Sequence, residues 1–108
     1  MPAAARKTDI SQNPSDSHGK LCCPHNVSGP AVSGSENVIV AGNGQLRASG
    51  GDRGVHSSCC GGNKWSTVAG SGTVFVNDLP AVRLGDRTKH CGGTGAIVTG
   101  AANVNIGG

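Results

Sequence analysis

Three segments of this chain share one pattern, and that repetition limits the folds open to it more than any other feature. They are Ser33-Gly34-Ser35-Glu36-Asn37-Val38-Ile39-Val40, Ala69-Gly70-Ser71-Gly72-Thr73-Val74-Phe75-Val76 and Thr99-Gly100-Ala101-Ala102-Asn103-Val104-Asn105-Ile106. Each reads small-Gly-small-x-x-Val-x-apolar, at spacings of 36 and 30 residues. The leading Gly predicts a turn, and the alternation after it predicts a half-buried strand. The expected strands are Val38–Val40, Val74–Val76 and Val104–Ile106.

What surrounds these segments repeats as well. Thirteen residues after Gly34 comes Arg47, in Leu46-Arg47-Ala48-Ser49-Gly50-Gly51-Asp52. Thirteen after Gly70 comes Arg83, in Pro80-Ala81-Val82-Arg83-Leu84-Gly85-Asp86, and the chain opens on Pro2-Ala3-Ala4-Ala5-Arg6-Lys7-Thr8-Asp9. A unit therefore runs apolar-Arg-turn-Asp, then a polar loop with His or Cys, then Gly-small and a Val strand. It occurs three times. Gly and Pro punctuate the chain nearly every ten residues, so no helix is expected. One unit alone cannot bury its Val face, but three wrapped around a common axis can share it. The reading is a single all-β domain over residues 1–108.

Composition says that such a domain needs a staple. Gly supplies 19 of the 108 residues; Leu, Ile, Val and Phe together supply 20; there is one Trp, one Phe, one Met and no Tyr. Burial at ~25 cal/mol/Å² over so few large side chains does not easily offset the entropy of ordering the chain. A net charge of +3 is too small for disorder driven by self-repulsion. Five Cys and four His are the candidates to hold the fold.

Lys and Arg are scattered along the sequence and aromatic residues are scarce, so no nucleic-acid partner is expected. No apolar run approaches the ~20 residues of a membrane span. The N-terminal charges have no apolar stretch behind them, so no signal peptide is expected, and the chain is expected to stay in the cytoplasm until it is carried elsewhere. That compartment and the odd Cys count argue against structural disulfides.

His and Cys fall in the three polar loops. The first holds His18-Gly19 and Cys22-Cys23-Pro24-His25, the second His56-Ser57-Ser58-Cys59-Cys60-Gly61, the third His90-Cys91-Gly92. Converging loops can meet at one ion, and zinc takes four such ligands in a tetrahedron. His18, Cys60 and Cys91 each stand directly before Gly, and His56 lies three residues before the Cys59-Cys60 pair. The expected ligands are His18, His56, Cys60 and Cys91. His90 is the leading substitute, because it and His56 both fall four residues after a repeat Asp; His25 and Cys59 are further alternates. An enzyme is not expected: a hydrolytic zinc site needs a carboxylate base beside a substrate pocket, and the only Glu is Glu36, at a strand start.

Leu79-Pro80-Ala81-Val82-Arg83-Leu84-Gly85-Asp86 resembles the Pro-Ala-Ala-Arg signature of the PAAR-repeat proteins. Gly70 to Asn77 is similar to the family's strand, and Met1 to Asp9 and Leu46 to Asp52 resemble degenerate copies. The likeness covers essentially the whole chain. The third unit, with Cys91-Gly92-Gly93 and its closing Val104-x-Ile106-Gly107, matches well; the Cys22-to-Pro30 insertion and Leu46-Arg47-Ala48 match poorly. The resemblance implies a small cone of three pseudo-repeated β units around one axis, zinc-stapled near the vertex by His and Cys. Its base caps the homotrimeric β-helical spike of a contractile injection machine, of the type VI secretion or contractile phage-tail kind, one copy per trimer. It further implies transient membrane piercing and possible effector proteins as cargo, with no toxin domain of its own after Gly108. Localisation would be the bacterial cytoplasm before firing, then outside the cell, in a target cell or in a phage-like particle. Where the family often has His-Gly, this chain has Cys60-Gly61. The other reading is a free zinc-binding adaptor or effector carrier that caps no spike.

Overall fold

The structure, a computed structural model, describes residues 2–16, 25–55, 64–90 and 93–107. These residues are all-β, with no helix. In chain order the strands are β1 (Ala3–Ala4), β2 (Ile10–Asp16), β3 (His25–Pro30), β4 (Ile39–Val40), β5 (Asn43–Gly44) and β6 (Arg53–Val55). There follow β7 (Lys64–Thr67), β8 (Phe75–Val76), β9 (Leu79–Pro80), β10 (Arg87–His90), β11 (Gly93–Ile97) and β12 (Ala101–Asn105).

Six of these form one antiparallel sheet in the order β3-β2-β11-β10-β7-β6. A bridge between Ala31 and Gly54 joins its two edges, so the sheet curls into a nearly closed barrel. Side chains alternate as the pleat requires. On β7 Lys64 and Ser66 point out while Trp65 and Thr67 are buried; on β10 Arg87 and Lys89 point out while Thr88 and His90 are buried. Gly54 is the register partner of Trp65, and a Cβ there would strike the indole ring. A glycine at this point leaves the barrel room for its only tryptophan.

The remaining strands make three two-stranded ribbons: β4 with β5, β8 with β9, and β1 with β12. The first two are hairpins closed by two residues at positive φ, Ala41 and Gly42 (49° and 89°) and Asn77 and Asp78 (51° and 68°). That conformation matches the right-handed twist of the flanking strands.

Backbone hydrogen bonds tie the parts together in closed rings. The Ala5 N–H donates to the Val82 carbonyl (3.0 Å), Val82 to Leu46 (3.1 Å) and Leu46 back to Ala5 (3.0 Å). A second ring runs from Lys7 to Gly44, Ala48 to Pro80 and Leu84 to Ala3, at 2.7 to 2.8 Å. Where the ribbons meet the sheet, Val32, Val68 and Val98 donate to Arg53, Arg87 and Ile10. Two apolar clusters lie on either side of the first ring. Ala5, Leu46, Val82, Ala31, Ile97 and Trp65 fill the barrel side. Ala4, Ala81, Val76 and Ile106 fill the ribbon side, with Val40 and Val104 against them.

Two expectations need correction. Gly34, Gly70 and Gly100 do not serve a positive-φ turn, because among the described residues the glycines that adopt one are Gly42, Gly50 and Gly85. Their role is close approach: a Cβ would lie 2.6 Å from the Gly44 carbonyl at Gly34, 2.6 Å from that of Ala81 at Gly70, and 3.0 Å from that of Ala4 at Gly100. The expected strand bounds also differ. In the first two segments a serine hydroxyl accepts from the backbone, Ser35 Oγ from Asn37 and Val38 and Ser71 Oγ from Thr73 and Val74. These local turns delay the strand to Ile39 and Phe75. Ala101 has no hydroxyl to compete, and β12 starts there.

Candidate functional site

Strand direction gives the molecule two distinct ends. Each neighbour pair in the six-stranded sheet is antiparallel. Consequently β2, β6 and β10 all finish at one end of the barrel, and β3, β7 and β11 all begin there. The ribbons stand at the opposite end.

His18, His56, Cys60 and Cys91, with the alternate Cys59, lie outside the described residues. The described strand ends that flank them, at residues 16 and 25, 55 and 64, and 90 and 93, share the barrel end. His90 closes β10 and is 2% exposed. Its Nε2 lies 2.8 Å from Ser11 Oγ, which lies 2.6 Å from Thr88 Oγ1. Its ring stacks on Trp65 at a centroid distance of 6.2 Å and 25° between planes. A buried imidazole held by a hydroxyl and an indole is pre-oriented, because its rotamer choice is already restricted. Among the described residues no group of three or more His, Cys, Asp or Glu is gathered as a metal site.

The ribbon end exposes what a folded chain ordinarily buries. Phe75 is 58% exposed and Ile39 57%, with Val38 and Val74 at 38% and 39%. Val76, next to Phe75 in β8, is buried, Val40, next to Ile39 in β4, is half-buried, and Ile106, just after β12, is buried. The middle residue of each Val-x-Val is therefore the one most open to water. The sequence pattern predicts half-buried strands without singling out these two; the pleat alternation, followed one step further, finds them.

Between the two ends three ion pairs brace the connections. Arg6 and Asp9, Arg47 and Asp52, and Arg83 and Asp86 each pair through Nε at 2.9 to 3.0 Å, with a second bond from Nη2. The same carboxylate also accepts the arginine's own backbone N–H, at 2.7 to 2.8 Å. Hydrogen bonding to the aspartate raises each guanidinium pKa above its ordinary value, against a smaller lowering by burial. Hydroxyls complete two of the three sites: Thr99 Oγ1 donates to Asp9 and Ser33 Oγ to Asp52. Ala69 takes the corresponding place beside Asp86 and has nothing to donate.

No protein-family model matches the chain, and no curated protein is significantly similar to it. No helix among the described residues is long and apolar enough to cross a membrane.

Proposed function

We propose that this chain is a PAAR-type tip: a small cone of three pseudo-repeated units that caps a homotrimeric β-helical spike, one copy per trimer. It acts as a structural and binding protein, not a catalyst. The observation that carries the reading is the pairing of cyclic hydrogen bonding with an open apolar end. Ala5, Leu46 and Val82 donate one to the next around a buried ring, so three like segments of a single chain surround one axis, which a partner with a real three-fold axis would match. Beside that ring, Ile39 and Phe75 stand in water. Apolar burial there would dominate association, with backbone pairing of the ribbon strands setting register. Covering the ribbons also removes exposed strand edges.

Zinc suits the opposite end on donor chemistry. Imidazole and thiolate are its preferred ligands, and the segments that join β2 to β3, β6 to β7 and β10 to β11 carry His and Cys. His18, His56, Cys60 and Cys91 would hold it, with His90 as the alternate already oriented by Ser11 and Trp65. The metal would supply folding free energy to a chain with few large apolar residues. Before firing such a tip resides in the bacterial cytoplasm. It then leaves with the spike, pierces a target membrane transiently, and carries any effector bound to it.

Capture of a trimeric spike by the purified chain tests the reading. The expected result is one chain per trimer, lost on Phe75→Asp in a variant whose melting curve is unchanged. If that folded variant retains full capture at the same stoichiometry, the free adaptor is the better description.

A further inference from the structure

Four cations distant in sequence come together on the outer face of β6, β7 and β10. Alternation turns Arg53 and Val55, Lys64 and Ser66, and Arg87 and Lys89 outward. Register then sets Arg53, Ser66 and Lys89 side by side, since Ser66 pairs with Arg53 across one edge of β7 and with Lys89 across the other. Strands ~4.8 Å apart place the two charges about 10 Å from each other across the serine. Lys64 and Arg87 lie one side-chain period, about 7 Å, from this row. A shallow cleft of about 350 Å³ opens among Arg53, Lys64, Ser66 and Lys89, lined also by the buried Trp65 and His90.

Among the residues whose side chains are described, no carboxylate pairs with these cations. Asp9, Asp52 and Asp86 are taken by Arg6, Arg47 and Arg83. The exposed Glu36 and Asp78 sit at the ribbon end, before β4 and in the β8–β9 turn. Like charges held this close are retained at a cost in self-repulsion, which an anionic partner relieves.

We propose that this face binds an anionic bilayer surface through its headgroup phosphates. Two features favour a bilayer over nucleic acid. The face exposes no aromatic ring on which a base could stack, since Trp65 is turned inward and 2% exposed. It is also bounded by exposed aliphatic side chains, Val55 at the barrel end and Val68 toward the ribbons, at 40% and 46%. A layer of headgroups over hydrocarbon accepts cations with aliphatic neighbours; a phosphodiester backbone gives the valines nothing to contact. The inference stands apart from spike capping, because it uses a different face.

Co-sedimentation of the purified full chain with vesicles tests it. Phosphatidylcholine containing about 30% phosphatidylglycerol should bind the protein, pure phosphatidylcholine should not, and binding should vanish between about 0.05 M and about 0.5 M salt. Each cation removed should weaken partitioning about five-fold, so Arg53→Gln with Lys89→Gln weakens it about 25-fold. Lys7→Gln, which removes a cation outside the face, should change it less than about two-fold. Lys89→Gln alone provides the same reading if the double variant melts early. Binding to neutral vesicles as strong as to anionic ones, a folded double variant that binds like the parent, or no binding at all overturns the proposal. Tighter capture of a duplex DNA oligonucleotide than of anionic vesicles at equal salt overturns it in favour of nucleic acid.

Discussion

At the barrel end the chain hides its large rings, with Trp65 and His90 each 2% exposed. At the ribbon end it leaves Phe75 and Ile39 more than half in water. The difference follows from closure. Six strands joined edge to edge enclose an interior, so side chains on the inner face are buried by the chain itself. Two-stranded ribbons have no second layer, and their outer residues stay open until something covers them. The barrel end is therefore where changes should alter folding, and the ribbon end where changes should alter association.

The largest effect that would sharpen this contrast is metal removal. Elemental analysis of freshly purified protein should find about one zinc per chain, and chelation should remove stability on the order of 10 kcal/mol. His56→Ala and Cys91→Ala should each lower the melting temperature sharply, whereas Cys22→Ala should do little. Protein free of transition metal that melts as high as untreated protein would show that the barrel end needs no staple.

Next in size is the interior of the barrel. Trp65→Ala should cost about 3–5 kcal/mol by denaturant unfolding, from lost burial plus a cavity. Gly54→Ala should cost about 1–3 kcal/mol, because the new methyl displaces the indole. Unfolding free energies of both variants within error of the parent would mean that the barrel is not closed around this ring.

The ion pairs divide the same way on a smaller scale. The Asp52 carboxylate is fully buried and accepts from Arg47 and Ser33, whereas Asp86 is 12% exposed and has Ala69 where Asp52 has Ser33. Asp52→Ala should cost about 2–4 kcal/mol and Asp86→Ala about 1–2 kcal/mol, since losing the fully buried carboxylate leaves the Ser33 hydroxyl as well as the Arg47 N–H without an acceptor. Melting curves of the pair settle the order, and equal losses would contradict it.

The smallest effect belongs to the ribbon end. Phe75→Ser should change the stability of the free chain by less than about 0.5 kcal/mol, as exposed substitutions do. A larger loss in the free chain would place Phe75 in the fold rather than on a docking surface.

Much of the fold was legible before any coordinates. Gly34, Gly70 and Gly100 recur with Val38, Val74 and Val104 in phase, and this announced strands without helices because period-2 alternation after glycine suits little else. The Arg-turn-Asp runs were visible too, though not the ion pairs, whose backbone bond needs the turn to bring the carboxylate back over the arginine N–H. Which strands share the large sheet was not legible. β2 lies beside β11, some eighty residues away, and no local pattern encodes that pairing.

By itself, then, the sequence determined the all-β character of the chain, the positions of its tight glycines and the three segments that carry His and Cys. The tertiary structure alone decided that the strand ends flanking those segments share one end of a barrel, that Ile39 and Phe75 face water while Val76 and Ile106 do not, and that scattered Arg53, Lys64, Arg87 and Lys89 form one face. The reason is physical. Local preference depends on neighbours within a few residues, whereas sheet order and register arise from backbone hydrogen bonds across the whole chain, and a one-residue slip in register would turn every one of these side chains to the other side.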